Sequence, residues 1–158
     1  MNENLIESWA EHYDAFTQVL TGAERRICVL DDDLTRLGLH QPENVEILRL
    51  LLLNHFGVSV RFALRDASHL RETHPRLMPL LRTYGHLFHI RVFPDLFAET
   101  RESFFLADSE RALVRFDLEL PRGKLVWDNA REAAPYHLRF EEIWEMPAQI
   151  FLPDTLGL

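Results

Sequence analysis

Three consecutive carboxylates, Asp31, Asp32 and Asp33, close a short apolar run and are the sharpest chemical signal in the chain. Clustered aspartates at the carboxyl end of a strand suit Mg²⁺ and the phosphoryl or phosphodiester chemistry that a metal-polarised oxygen supports. The same residues also cap turns wherever a chain reverses. The eight histidines do not repeat this concentration. His69 and His74 are five apart, which misses the four-residue step that sets two imidazoles on one helical face, and His86 and His89 fall on opposite faces of a strand. His12, His40, His55 and His137 belong to different segments. Cys28 is the only cysteine, so neither an internal disulfide nor a cysteine-rich zinc site is open to the chain. Neither a Gly-x-Ser-x-Gly elbow nor a Gly-x-Gly-x-x-Gly turn occurs, and no phosphate loop ends in Gly-Lys-Ser or Gly-Lys-Thr. No cofactor is expected.

The elements that must position these residues follow from apolar spacing. Leu5, Ile6, Trp9, Tyr13, Phe16 and Leu20 step by threes and fours to Gly22, which predicts an N-terminal helix over 1–22. Arg26 to Leu30 reads as a buried strand, and Pro42 opens a helix that Gly57 closes. The leucines Leu50 to Leu53 surround that helix, which implies cover on more than one side. Val58, Val60, Phe62 and Leu64 alternate with less apolar neighbours, as a strand requires. Ser68 to Thr73 reads as loop, Pro75 to Tyr84 as a short helix around Pro79, and Phe88 to Phe93 as a strand. Ser103–Ala107 and Ala112–Phe116 form a hairpin about Asp108, Ser109 and Glu110. Lys124 to Trp127 is a further strand, and Pro135 to Glu145 a last helix. The apolar tail 146–158, with Ile150, Phe151, Leu152 and Leu156, should dock on the body or on a partner. The later strands lie too close together for helical crossovers, so residues 1–158 read as one α/β domain with a mixed sheet flanked by helices.

The 158 residues carry 17 Lys and Arg against 25 Asp and Glu, a formal charge of −8. Such a field repels phosphate backbones and anionic membranes, which argues against nucleic acid as a partner. Lys124 is the only lysine, so any local anion contact would use guanidinium. The longest leucine run, Leu50 to Leu53, is far short of the ~20 residues of a membrane span. Acidic residues at Glu3, Glu7 and Glu11 do not fit a secretory signal, and a lone thiol suits a reducing, cytoplasmic setting.

The stretch LLLLNHFGVSVRFALRD (Leu50–Asp66) resembles the phospholipase D-like superfamily, in which a helix runs through a Gly-Val step into a Val-x-Val-x-Leu strand. NAREAAPYHLRFEEIWE (Asn129–Glu145) is similar to its closing helix, with Phe140 and Trp144 as aromatic anchors. SFFLADSERALVRF (Ser103–Phe116) stands where the family carries His-x-Lys-x4-Asp. Setting that aspartate on Asp108 puts Arg101 in place of the nucleophilic histidine and Ser103 in place of the lysine. The family's Gly-Ser-x-Asn is also missing at Val114 to Asp117. The resemblance therefore implies a motif-less bacterial type of member, because a guanidinium is no nucleophile at neutral pH. Such a chain would be a non-catalytic module for binding or self-association, with a homodimer or another protein as partner. Arg101, Ser103 and Asp108 would remain as a degenerate site for an anionic group. The alternative is a divergent metal-dependent phosphoryl-transfer or phosphodiester enzyme using Asp31, Asp32 and Asp33.

Overall fold

Alternation along the apolar run at residues 26–31 divides the molecule. Ile27 and Val29 belong to one buried cluster, while Cys28 and Leu30 belong to another on the opposite face of the same strand. The computed structural model describes residues 4–54, 56–96 and 101–154. In chain order its elements are β1 (Leu5–Ile6), α1 (Trp9–Gly22), β2 (Arg26–Asp31), α2 (Pro42–Asn54), β3 (Ser59–Leu64), α3 (Leu70–Thr73) and α4 (Leu77–Thr83). They continue as β4 (Phe88–Val92), β5 (Ser103–Ala107), β6 (Arg111–Arg115), β7 (Gly123–Val126), α5 (Ala130–Trp144) and β8 (Gln149–Ile150).

The eight strands form one mixed sheet in the order β1-β7-β6-β5-β2-β3-β4-β8. Helical crossovers make β2, β3 and β4 parallel, short connections make β5, β6 and β7 antiparallel, and the pairings of β1 with β7, β2 with β5 and β4 with β8 join segments distant in sequence, also antiparallel. The larger core, with Phe16, Val19, Phe62, Phe88 and Phe105, packs α1, α2 and α4 on one face. The smaller core sets Phe140 and Trp144 of α5 against Cys28, Leu30, Phe104 and Leu106 on the other.

Several boundaries depart from the sequence reading. Leu5 and Ile6 do not start the first helix; they pair with Lys124 and Gly123 as an edge strand. The helix begins at Trp9 because Ser8 accepts from the Glu11 amide while the Glu11 carboxylate accepts from the Ser8 amide, a reciprocal cap that stops the helix from extending backwards. Ser68 to Thr73 is not all loop, since Leu70 is buried and winds a single turn, α3. The last helix starts before Pro135, at Ala130, where Asn129 accepts from the Glu132 amide. Nor is α2 covered all round: Leu48, Leu51 and Leu52 are buried, whereas Leu50 and Leu53 are half-exposed. The tail docks through two residues of β8 on β4 and through buried Phe151, which lies under the Arg71 guanidinium at 4.5 Å. Leu156 lies outside the described residues.

Gly123 faces Arg115 across the β6–β7 ladder, and a Cβ there would overlap the Val114 carbonyl oxygen. Replacing a strand glycine by alanine would ordinarily help. Here Gly123→Ala should instead cost about 1–3 kcal/mol, the usual range for overpacking, read as a lowered urea midpoint. An unchanged midpoint would show that the ladder relaxes freely.

Candidate functional site

Asp31, the last residue of β2, is 1% exposed. One step back along the ladder, Leu30 pairs with Phe104 of β5, and Ser103 in turn pairs with Arg115 of β6. Period-two alternation therefore brings Asp31, Ser103 and Arg115 to the α1 face, side by side on three adjacent strands. Ser103 and Arg115 are as deeply buried, at 1% and 2%.

Arg115 Nη2 lies 3.4 Å from Asp31 Oδ1 and 3.4 Å from the Leu118 carbonyl, and its Nε donates to the Asp117 carbonyl at 3.3 Å. The other Asp31 oxygen accepts from the Leu34 amide at 2.9 Å, holding Leu34 in a left-handed conformation (φ 74°). Burial pushes the Asp31 carboxyl above its usual range, against the opposing influence of Arg115 and of the neighbouring Ser103 hydroxyl. That hydroxyl faces Asp31 without a hydrogen bond of ordinary geometry, and Arg115 Nη1 likewise has no partner.

Helix α1 roofs the cluster. The Trp9 ring sits 5.5 Å from the Arg115 guanidinium carbon and 5.4 Å from that of Arg36, so one indole steadies two cations. His12, edge-on to Trp9, is fully buried, and its Nε2 donates to the Leu37 carbonyl at 2.9 Å. That bond leaves Nδ1 as an acceptor with no partner. Desolvation, aided by the Arg115 charge, lowers the His12 pKa from 6.5 to about 4, so the ring is neutral at pH 7.

The other two aspartates take partners of their own. Asp32 Oδ1 binds Arg65 at 2.6 Å, and Asp33 Oδ1 accepts from the Thr35 amide and hydroxyl at 3.0 and 2.7 Å. All three aspartates line one cleft, and each carboxylate has a separate protein partner. Among the described residues no group of three His, Cys, Asp or Glu side chains converges as a metal site.

Two clefts open at this edge of the sheet. The smaller, about 230 Å³, is walled by the three aspartates, Thr35, Arg36, Arg115, Leu118 and Glu119. The larger, about 670 Å³, lies beyond β3 and β4 between Arg65, Ser68 and Pro94 and the tail at Gln149 to Leu152. Arg71 fastens that tail by donating to the Leu152 and Pro153 carbonyls at 2.5 and 3.2 Å, and Arg82 pairs with Asp154.

Arg101, Ser103 and Asp108 do not come together. Arg101 is exposed just before β5, and Ser103 is buried at the start of that strand. Asp108 lies at the far end, roughly 16 Å from Ser103 at about 3.3 Å per residue. There Asp108 accepts from the amides of Glu24, Arg25 and Arg26 at 3.0, 2.9 and 3.1 Å, which makes it a clasp on the turn into β2. Arg115, His12 and Trp9 were not singled out from sequence. The available signal was an arginine closing the otherwise apolar strand Ala112 to Val114.

A family model for DUF7931, a domain of unknown function, matches residues 8–151. No curated protein matches the chain. Among solved structures it is similar to TrmBL2, an archaeal chromatin protein whose structure shows a novel mode of DNA binding. The TM-score is 0.67 at 15% identity over 93% of this chain and 53% of that one. The chain thus spans about half the length of that protein, and the likeness is one of fold.

The buried imidazole generates a pH dependence. Between pH 6.5 and about 4 the unfolded chain binds a proton at His12 that the folded chain does not, so stability present above pH 6.5 is lost on acidification. That gap, at about 1.4 kcal/mol per pH unit, amounts to roughly 3 kcal/mol. Urea titrations from pH 7.5 to 4.5 should show the decline, and His12→Gln should flatten it. Equal slopes in the two proteins would refute the assignment.

Proposed function

We infer the role of this chain, which belongs to the DUF7931 family, from its own residues: it is a non-catalytic phospholipase D-like domain that works as a binding or self-association module. The observation that carries the reading is the state of the sheet edge where a phospholipase D-like reaction would occur. Ser103 stands in the lysine position and is buried beside the Asp31–Arg115 pair. Arg101, in the histidine position, offers no nucleophile, since a guanidinium has hydrogen-bond donors and no acceptor. Of the histidines close to this edge, His12 and His74 are sealed from solvent at 1% and 3% exposure, while His40 and His69 are exposed but stand outside the motif position. A phosphohistidine needs an imidazole that substrate can reach.

The alternative, metal-dependent phosphoryl transfer through Asp31, Asp32 and Asp33, has less support because Arg115, Arg65 and Thr35 already claim those carboxylates. The partner is a small molecule or a protein, a second copy included. Duplex DNA is disfavoured by the formal charge of −8 and by acidic residues in both clefts, although the structural neighbour is a DNA-binding protein. No described helix is long and apolar enough to cross a membrane. Buried, unpaired Cys28 fits a reducing cytoplasm.

The reading predicts no turnover of bis(p-nitrophenyl) phosphate above buffer, with or without Mg²⁺ or Mn²⁺. It also predicts no change in fluorescence anisotropy of a labelled duplex at physiological salt. Metal-dependent hydrolysis abolished by Asp32→Asn would establish the alternative, and saturable anisotropy would return DNA as the partner.

A further inference from the structure

We propose that the chain forms a two-fold dimer in which helix α5 of each copy lies across the uncovered β3–β4 half of the other copy's sheet; this deepens the reading of the chain as a self-association module and rests on it. Helices α1, α2, α3 and α4 all send their buried apolar residues into the larger core, so α5 is the only described helix on the other side of the sheet. It packs over β2, β5 and β6. Parallel strands are ordinarily covered on both faces, yet β3 and β4 are parallel neighbours with no described helix over this side.

Strand alternation fixes what the bare half carries. Arg61 of β3 and its neighbour His89 of β4 point to the α5 side, as do Arg91 and, across the β4–β8 ladder, Ile150. His89 is exposed although it sits within its strand, and Ile150 is 71% exposed. The opposite face of the same two strands, with Val60, Phe62, Phe88 and Ile90, lies in the core. This side is therefore a step, raised by roughly one helix diameter, about 10 Å, over β2, β5 and β6 and low over β3 and β4. A two-fold rotation fits one such step into another, so that each low half receives the other copy's helix, and an isologous contact requires that kind of self-complementarity. The 15 residues of α5, at about 1.5 Å each, span roughly 22 Å, long enough to cross the low half.

The charges of the two halves match as well. Within one copy Glu141 pairs with Arg61, Glu132 with Lys124 and Glu102 with Arg139. On the exposed surface of α5 and its cap that leaves Glu142 and Glu145 against Arg131. On the low half Arg91 donates to the Trp144 carbonyl at 2.9 Å and stacks on its ring at 4.2 Å, meeting no carboxylate among the described residues. Arg26, exposed at the start of β2, adds a second cation. Burial, together with Arg91, Arg61 and His86, holds the His89 pKa below its ordinary value, as a positive surrounding does. Each half also exposes a large apolar side chain: Leu138, 64% exposed on the outer stripe of α5 four residues before Glu142, and Ile150 on β8. A foreign acidic helix would fill the low half but leave that outer stripe in water, whereas a second copy covers both.

The test is sedimentation velocity on the full chain at physiological salt, from about 5 µM to about 500 µM. A concentration-dependent monomer–dimer equilibrium is expected. Leu138→Asp on α5 and His89→Glu on β4, both in exposed positions, should each raise the dimer dissociation constant about tenfold or more, with circular dichroism melts checking that the variants fold. Ile150→Ser serves in place of either variant that does not fold. Leu50→Asp, on the exposed side of α2 beyond the opposite face of the sheet, should leave the equilibrium unchanged. The proposal is overturned by a monomer throughout the range, which would give the low half to a foreign partner. A dimer that either interface substitution leaves intact, or one that Leu50→Asp dissolves, overturns it equally. Failure here leaves the non-catalytic reading standing, because only turnover of the phosphodiester removes that.

Discussion

The ion pair between Asp31 and Arg115 is the constraint on which the rest of the site depends. The Arg115 guanidinium is almost wholly enclosed, and Asp31 is the carboxylate that reaches it. A pair so placed brings little net stability, because desolvation consumes most of the Coulombic gain. Its consequence is positional. β2 and β6 are separated by β5, and the pair fastens their ends across it while a second Asp31 oxygen shapes the turn at Leu34. From that turn follow the divergence of Asp32 and Asp33 and the placement of Arg36 against Trp9.

The proposed phospholipase D-like reading, without the reaction, rests on the same arrangement. At the edge where a nucleophile and a cation would be needed, the proposed reading has a buried hydroxyl, an internally neutralised guanidinium and a sealed neutral imidazole. What stays accessible is a cleft of mixed polarity beside a larger one bounded by the chain's own tail. Such surfaces select ligands by hydrogen-bond pattern, whereas reaction requires an exposed, activated group.

Much of the fold was legible because local period and burial agree. The alternation of Val58 to Leu64, the apolar Arg26 to Leu30 run and the turn at Asp108 to Glu110 each matched a sheet element. Leu5 and Ile6 misled because they extend the helical stripe of α1 in phase; the competing signal, Ser8 followed by Glu11, was present in the sequence. Leu50 and Leu53 misled because leucine favours helices even on an exposed face. The aspartate cluster marked the carboxyl end of β2 but not the partners its carboxylates take. Which partner each carboxylate takes depends on Arg65, Thr35 and Arg115, and only strand register brings Arg115 into contact. His12 was hidden for the same reason, since nothing local to α1 states that its roof lies over β6.

A double-mutant cycle tests the central claim most directly. Asp31→Asn keeps an oxygen for the Leu34 amide while removing the charge, and Arg115→Met keeps length while removing the cation. The account predicts that Asp31→Asn, which strands a buried cation, loses about 3–5 kcal/mol of unfolding free energy. The double variant should lose much less than the sum of the two single variants. Losses that add to within about 0.5 kcal/mol would mean that the two groups are independent and that something else organises this edge of the sheet.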